Sequence, residues 1–167
     1  MTHDDLVKIA ARWLRNRMGC SVVLTELACD SRTNEIPDAI GFNSSNSYLV
    51  ECKTSMSDYL ADQKKIFRRI PENGMGQYRF IMCQDGVIKD IYPGWGLLWV
   101  VNNRVYPHNF KDCNITQAMG LTRFDSRMDC ERSILVSGLR RANEKIKELN
   151  KSEIIPYIQK KTGRNSR

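Results

Sequence analysis

An α/β fold, with one central sheet between helices, is what this 167-residue sequence predicts, and three observations predict it. A helical period opens the chain. Short β-branched and aromatic runs follow, each bounded by turn residues. A second helical segment then separates the first three of these runs from the later ones. The order reads helix, three strands, helix, strand, with more strands and a closing helix beyond.

Residues 4–18 carry Leu6, Ile9, Ala10, Trp13, Leu14 and Met18 at helical spacing, with Lys8, Arg12, Arg15 and Arg17 on other faces. Ser21–Leu27 is β-rich and reads as the first strand; its alternation puts Val22, Leu24 and Glu26 on one side. After turn-forming residues 28–35 come two strand-like segments, IPDAIGF and SYLVECK, around the polar turn Asn43–Asn46. Ser55 and Asp58 form a helix start, and the helix runs to about Arg69, ended by Pro71. Met56, Tyr59, Leu60, Ile66 and Phe67 form its expected buried stripe, and Asp58, Asp62, Lys65 and Arg69 a solvated face. Residues 71–76 read as a loop whose two glycines let the backbone approach a ligand. Strands are expected near 77–83 and 96–101, the second folding back through Asn102-Asn103 to Arg104-Val105-Tyr106. Trp95 and Trp99 sit among apolar residues and read as core. The closing helix, about 129–150, shows Ile134, Leu135, Leu139, Ala142, Ile146 and Leu149 as a stripe that could meet a second copy of the chain. Residues 160–167 read as a basic, disordered tail.

The chemistry concentrates in residues 36–53. A hairpin closed by Asn43–Asn46 places Phe42 opposite Ser47, Ile40 opposite Leu49, Asp38 opposite Glu51 and Ile36 opposite Lys53. Alternation then projects Asp38, Glu51 and Lys53 from one face. Two carboxylates directly opposite repel, so either one holds a proton or a cation lies between them. A hard divalent ion such as magnesium suits that pair. Glu26 is the preferred third carboxylate because a strand would hold it; Glu35, in the loop before Pro37, is the alternative.

Pro37-Asp38 followed by Glu51-Cys52-Lys53, with a helix from Ser55, resembles the signature of the PD-(D/E)xK nuclease superfamily. The likeness extends over about residues 5–105 and is similar to small stand-alone phage and bacterial members linked to DNA repair. It implies a restriction-endonuclease-like core, αβββαβ with a central mixed sheet flanked by helices, over residues 1–128, and a basic C-terminal helix and tail over 129–167. It further implies a Mg2+- or Mn2+-dependent DNA endonuclease, structure-selective and serving phage or bacterial DNA processing, with a homodimer as a family expectation. Asp38, Glu51 and the Cys52 carbonyl would hold the metal, Lys53 would stabilise developing charge, and Glu26 would serve a second metal. The alternatives are a DNA-binding module without cleavage and an RNA-processing or RNA-binding protein.

Charge agrees with a polyanionic partner. The chain carries a net +7, and residues 138–167 hold nine Lys or Arg against three Glu. Lys64, Arg68, Arg140 and Arg141 are candidate phosphate contacts, with helix solubility as the competing explanation. No bilayer-spanning run, signal peptide or P-loop pattern occurs, so neither a membrane partner nor a nucleotide cofactor is expected, and a cytoplasmic location is. The six cysteines are scattered, which favours free thiols. His108, Cys113 and Cys130 are a weakly spaced zinc alternative.

Overall fold

The structure, a computed structural model, describes residues 1–29, 31–108 and 121–149. Helix α1 (His3–Asn16) starts at a reciprocal cap: Thr2 Oγ1 accepts the Asp5 N–H and the Asp5 carboxylate accepts the Thr2 N–H. Its apolar stripe is buried as the period predicts, with Trp13 edge-on to Phe80 at 5.0 Å.

Six strands lie side by side in chain order: β1 (Val22–Thr25), β2 (Ala39–Phe42), β3 (Ser47–Lys53), β4 (Tyr78–Gln84), β5 (Gly96–Val101) and β6 (Arg104–Pro107). β1, β2 and β3 are antiparallel, β3, β4 and β5 parallel, and β6 antiparallel to β5, so the sheet is mixed. Parallel neighbours need a crossover. Between β3 and β4 it contains α2 (Met56–Asp62), α3 (Ile66–Arg69) and a 3₁₀ turn (Pro71–Asn73).

The β2–β3 register is the expected one, with Phe42 opposite Ser47 and Ile40 opposite Leu49. Asn43 shapes the turn, its Oδ1 accepting the N–H groups of Ser45 at 3.0 Å and Asn46 at 2.8 Å. The ladder ends at Ala39 and Val50, however. Asp38 therefore stands one residue before β2, and Ile36, 50% exposed, forms no strand pair with Lys53. The β5–β6 turn at Asn102-Asn103 has both residues left-handed, at φ 48° and 61°. That is the backbone a two-residue hairpin needs, and asparagine tolerates it.

α1 covers one face of the sheet, packing on Tyr48, Val50, Cys52, Phe80, Met82 and Leu98. The other face has two cores. Leu49, Ile81, Cys83 and Leu97 meet Tyr59, Ile88 and Trp95, while Ile40 meets Met75, Cys130 and Ile134. The last two belong to α4 (Met128–Leu149). Buried Glu131 ties α4 to the sheet, accepting from Ser47 Oγ at 2.9 Å and Gly76 N at 2.8 Å. Leu135 and Ile146 are half-buried, but Leu139 is 64% exposed and Ala142 is exposed, so the expected stripe is covered unevenly.

The segment 55–69 departs most from expectation. It is two short helices broken at Gln63–Lys65, with Lys65 extended at ψ 140°. Tyr59 and Phe67 are buried, but Met56, Leu60 and Ile66 are exposed, and Asp62 and Arg68 are buried in their place. Geometry gives the reason. Six residues along a continuous helix lie about 120° apart around the axis, so Asp62 and Arg68 could not both face the sheet. The break at Lys65 turns both inward. The loop glycines also serve packing: a Cβ on Gly76 (φ +83°) would come within 2.5 Å of Leu49 Cβ.

Cys20, Cys29, Cys52, Cys83 and Cys130 are free thiols. Cys113, needed for the zinc alternative, and the tail 160–167 lie outside the described residues. No described helix is long and apolar enough to cross a membrane.

Candidate functional site

β3 is buried along its whole length, so alternation sends Glu51 and Lys53 from its final residues into the face that α2 and α3 cover. Lys53 Nζ lies 3.2 Å from Glu51 Oε2 and 3.4 Å from Asp62 Oδ1. Burial pulls the Lys53 ammonium toward deprotonation, but Glu51 and Asp62, with Asp38 behind them, outweigh it and raise its pKa. Lys53 is therefore a fixed cation at neutral pH rather than a proton acceptor.

Arg68 sits deeper. Its Nη1 donates to Glu35 Oε1 at 2.6 Å, its Nε donates to Asp62 Oδ2 at 2.7 Å, and its Nη2 approaches Glu51 Oε1 to 2.9 Å. This last contact lacks hydrogen-bond alignment and leaves both atoms buried without a bond. The guanidinium also lies over the rings of Phe67, at 4.8 Å, and Trp95, at 5.1 Å. Glu35 Oε2 accepts the Met75 N–H at 2.7 Å, and Tyr92 donates to Asp62 at 3.1 Å. Burial raises the Glu35 pKa, with Arg68 opposing and Glu51 adding. Burial would raise Asp62 too, but Arg68 and Lys53 hold it below the usual carboxylate range.

Asp38 lies on the open side. Its Oδ2 accepts the Cys52 N–H at 2.7 Å, which holds it against β3 without a strand pair. Its side chain is 17% exposed, and burial followed by the Glu51 charge pushes its pKa up to about 6. Glu26 is not held by a strand as expected. It follows β1 at φ +48°, with its N–H directed at the carbonyls of Pro37, 3.1 Å away, and Asp38, 3.2 Å away. Its 53% exposed carboxylate lies 3.4 Å from His3 Nε2, which is 3.6 Å from Asp38 Oδ1.

The structure thus gathers Asp38, Glu51, Cys52 and Lys53, with Glu26 at the rim and Glu35 in the buried network. Arg68, nominated for phosphate contact, is buried among three carboxylates and cannot reach a backbone in solvent. Lys64 is exposed; Arg140 pairs with Glu144, and Arg141 donates to the Ala28 carbonyl. Sequence reasoning missed Asp62 and His3 as members of the site and gave Arg68 a role in solvent. The one local signal was an Asp and an Arg six residues apart in a segment whose apolar stripe is imperfect.

The donors present suit a hard divalent ion. They are the oxygens of Asp38 and Glu51 with the Cys52 carbonyl; Glu51 Oε1 accepts no hydrogen bond but faces Arg68 Nη2 at 2.9 Å, so a metal there would share it with the guanidinium. Among the described residues, no three His, Cys, Asp or Glu side chains form a ready-made metal-holding group.

No family model matches the chain, and no curated protein matches it. Among solved structures it is similar to the SPO1766 protein of unknown function from Silicibacter pomeroyi, at a TM-score of 0.61 and 18% identity, over 89% of this chain and 91% of that one. At that identity the likeness is one of fold: a mixed six-stranded sheet flanked by helices.

Proposed function

We propose that the protein is a magnesium- or manganese-dependent DNA endonuclease of the PD-(D/E)xK type, built on a restriction-endonuclease-like core. The observation that carries this reading is the meeting of Asp38, Glu51 and Lys53 at one end of β2 and β3, buried on one side and open at Asp38. Magnesium held by Asp38, Glu51 and the Cys52 carbonyl would supply Lewis acidity and a more acidic bound water. Lys53, held between Glu51 and Asp62, places a fixed positive charge where a phosphate oxygen gains charge during cleavage. Exposed Lys64, Arg140 and Arg141 remain candidates for backbone contact. Free thiols go with a reducing cytoplasm.

A second reading, a DNA-binding module that does not cut, is favoured by one feature. Arg68 and Lys53 already neutralise Glu51, so that carboxylate is stable without a metal. Incubating the protein with supercoiled plasmid, linear duplex, a four-way junction and single-stranded RNA, each with magnesium or chelator, separates the two. The nuclease reading expects magnesium-dependent cutting of DNA and a ranking among the three DNA forms. Tight DNA binding without cutting in magnesium or manganese supports the second reading, and cutting confined to RNA overturns both.

A further inference from the structure

A groove of about 390 Å³ runs between the C-terminal half of α1 and the edge strand β6, on the sheet face opposite Lys53. Its floor is apolar, made by Ile9, Trp13 and Val105; Arg12 and Arg17 stand on its α1 side, and Arg104 lines its β6 edge, where alternation with Val105 turns the side chain toward the Lys53 face. No acidic side chain lines it, and among the described residues none of the three guanidiniums has a hydrogen bond or ion pair. Two arginines beside one apolar floor and a third at its sheet edge form a complementary surface for an anion that alternates charge with flat apolar groups.

We propose that this groove binds a single-stranded polynucleotide, with phosphates on Arg12, Arg17 and Arg104 and a base or sugar against the floor. The inference rests on the nucleic-acid reading above and names where one strand goes. The volume accepts one or two nucleotides and is too small for a duplex. Position also favours a strand. The row of residues through Lys53 passes Cys83 and Trp99 to Tyr106, and Arg104 lies two residues further toward the same sheet end. Three strand spacings, about 14 Å, separate β3 from β6. A strand leaving the Asp38–Lys53 end can therefore round the sheet and enter beside Arg104.

The test is fluorescence anisotropy with a labelled oligothymidylate, in chelator, across a salt series, comparing the wild-type protein with R12A/R17A/R104A. Labelled duplex and an oligoglutamate of equal charge are parallel ligands. All three arginines are exposed, so thermal unfolding should be unchanged. The expected result is at least tenfold weaker single-strand binding, and a salt slope shallower by about two, from three lost contacts at about 0.7 each. Unchanged affinity and slope, or no single-strand binding by the wild-type protein, overturns the proposal. Equal loss toward oligoglutamate also overturns it, in favour of an acidic peptide. DNA cutting by the wild-type protein, assayed separately with magnesium, keeps the two questions apart. A protein that cuts but binds strands independently of the arginines loses only the groove, and one that loses strand binding in the variant without ever cutting loses only the nuclease.

Discussion

The two halves of the candidate site are built from similar charges and held in opposite ways. On the α2–α3 side, Glu35, Glu51, Asp62, Lys53 and Arg68 are almost fully buried, and each has an oppositely charged partner. On the other side, Asp38, Glu26 and His3 meet at 3.4 to 3.6 Å near solvent. The difference teaches a division of labour. A buried ion network sets the position of its members because every misplaced charge is costly. A rim of loosely paired acids leaves oxygens that a ligand can use.

The largest effect should come from the buried half. Arg68→Ala leaves three buried carboxylates with only Lys53 among them and the half-exposed Lys65 beside Asp62, and urea unfolding should show a loss of about 3–5 kcal/mol or no folded protein. A loss below about 1 kcal/mol would mean that the network does not hold the site.

The next effect belongs to Asp38 and depends on pH. Its folded pKa, about 6, lies above its ordinary value of 3.8, so the fold prefers the protonated form. The wild-type protein should lose stability as pH rises from about 4 through about 6, whereas Asp38→Asn, which can still accept the Cys52 N–H, should not. Thermal melts in chelator should show the variant more stable by about 3 kcal/mol at pH 8, with little difference at pH 4. Magnesium should close the gap at pH 8 by stabilising only the wild-type protein. Parallel melting curves across this range would remove both the burial penalty and the Glu51 repulsion on the Asp38 carboxylate from the account.

The smallest effect is expected at the rim. Glu26→Gln removes an exposed contact to His3 and should change stability by less than about 0.5 kcal/mol. A larger loss would place Glu26 among the structural residues and erase the contrast.

The open half was more legible in the sequence than the buried half, for a physical reason. Strand alternation is a local rule, so the β2–β3 register and the common face of Glu51 and Lys53 follow from counting outward from Asn43–Asn46. The same holds for α1 and for the turn at Asn102-Asn103. The buried network is non-local. Arg68 meets Glu35 across 33 positions, and only the break at Lys65 turns it inward. No proline or glycine marks that break, so the helical period runs through it and assigns Asp62 and Arg68 to solvent. Glu35 was legible only as an acid near Pro37, because what buries it is Arg68 and the Met75 N–H.

The most direct test of the central claim, that Asp38 and Glu51 hold a metal while Lys53 acts on the substrate, is a magnesium-binding isotherm set beside plasmid nicking for the wild-type, Lys53→Ala and Asp38→Asn proteins. The account predicts that Lys53→Ala still binds magnesium but nicks at least a hundredfold more slowly, consistent with loss of one charge-stabilising group. It predicts that Asp38→Asn loses both. Nicking by both variants at the wild-type rate, with unchanged magnesium binding, would contradict it.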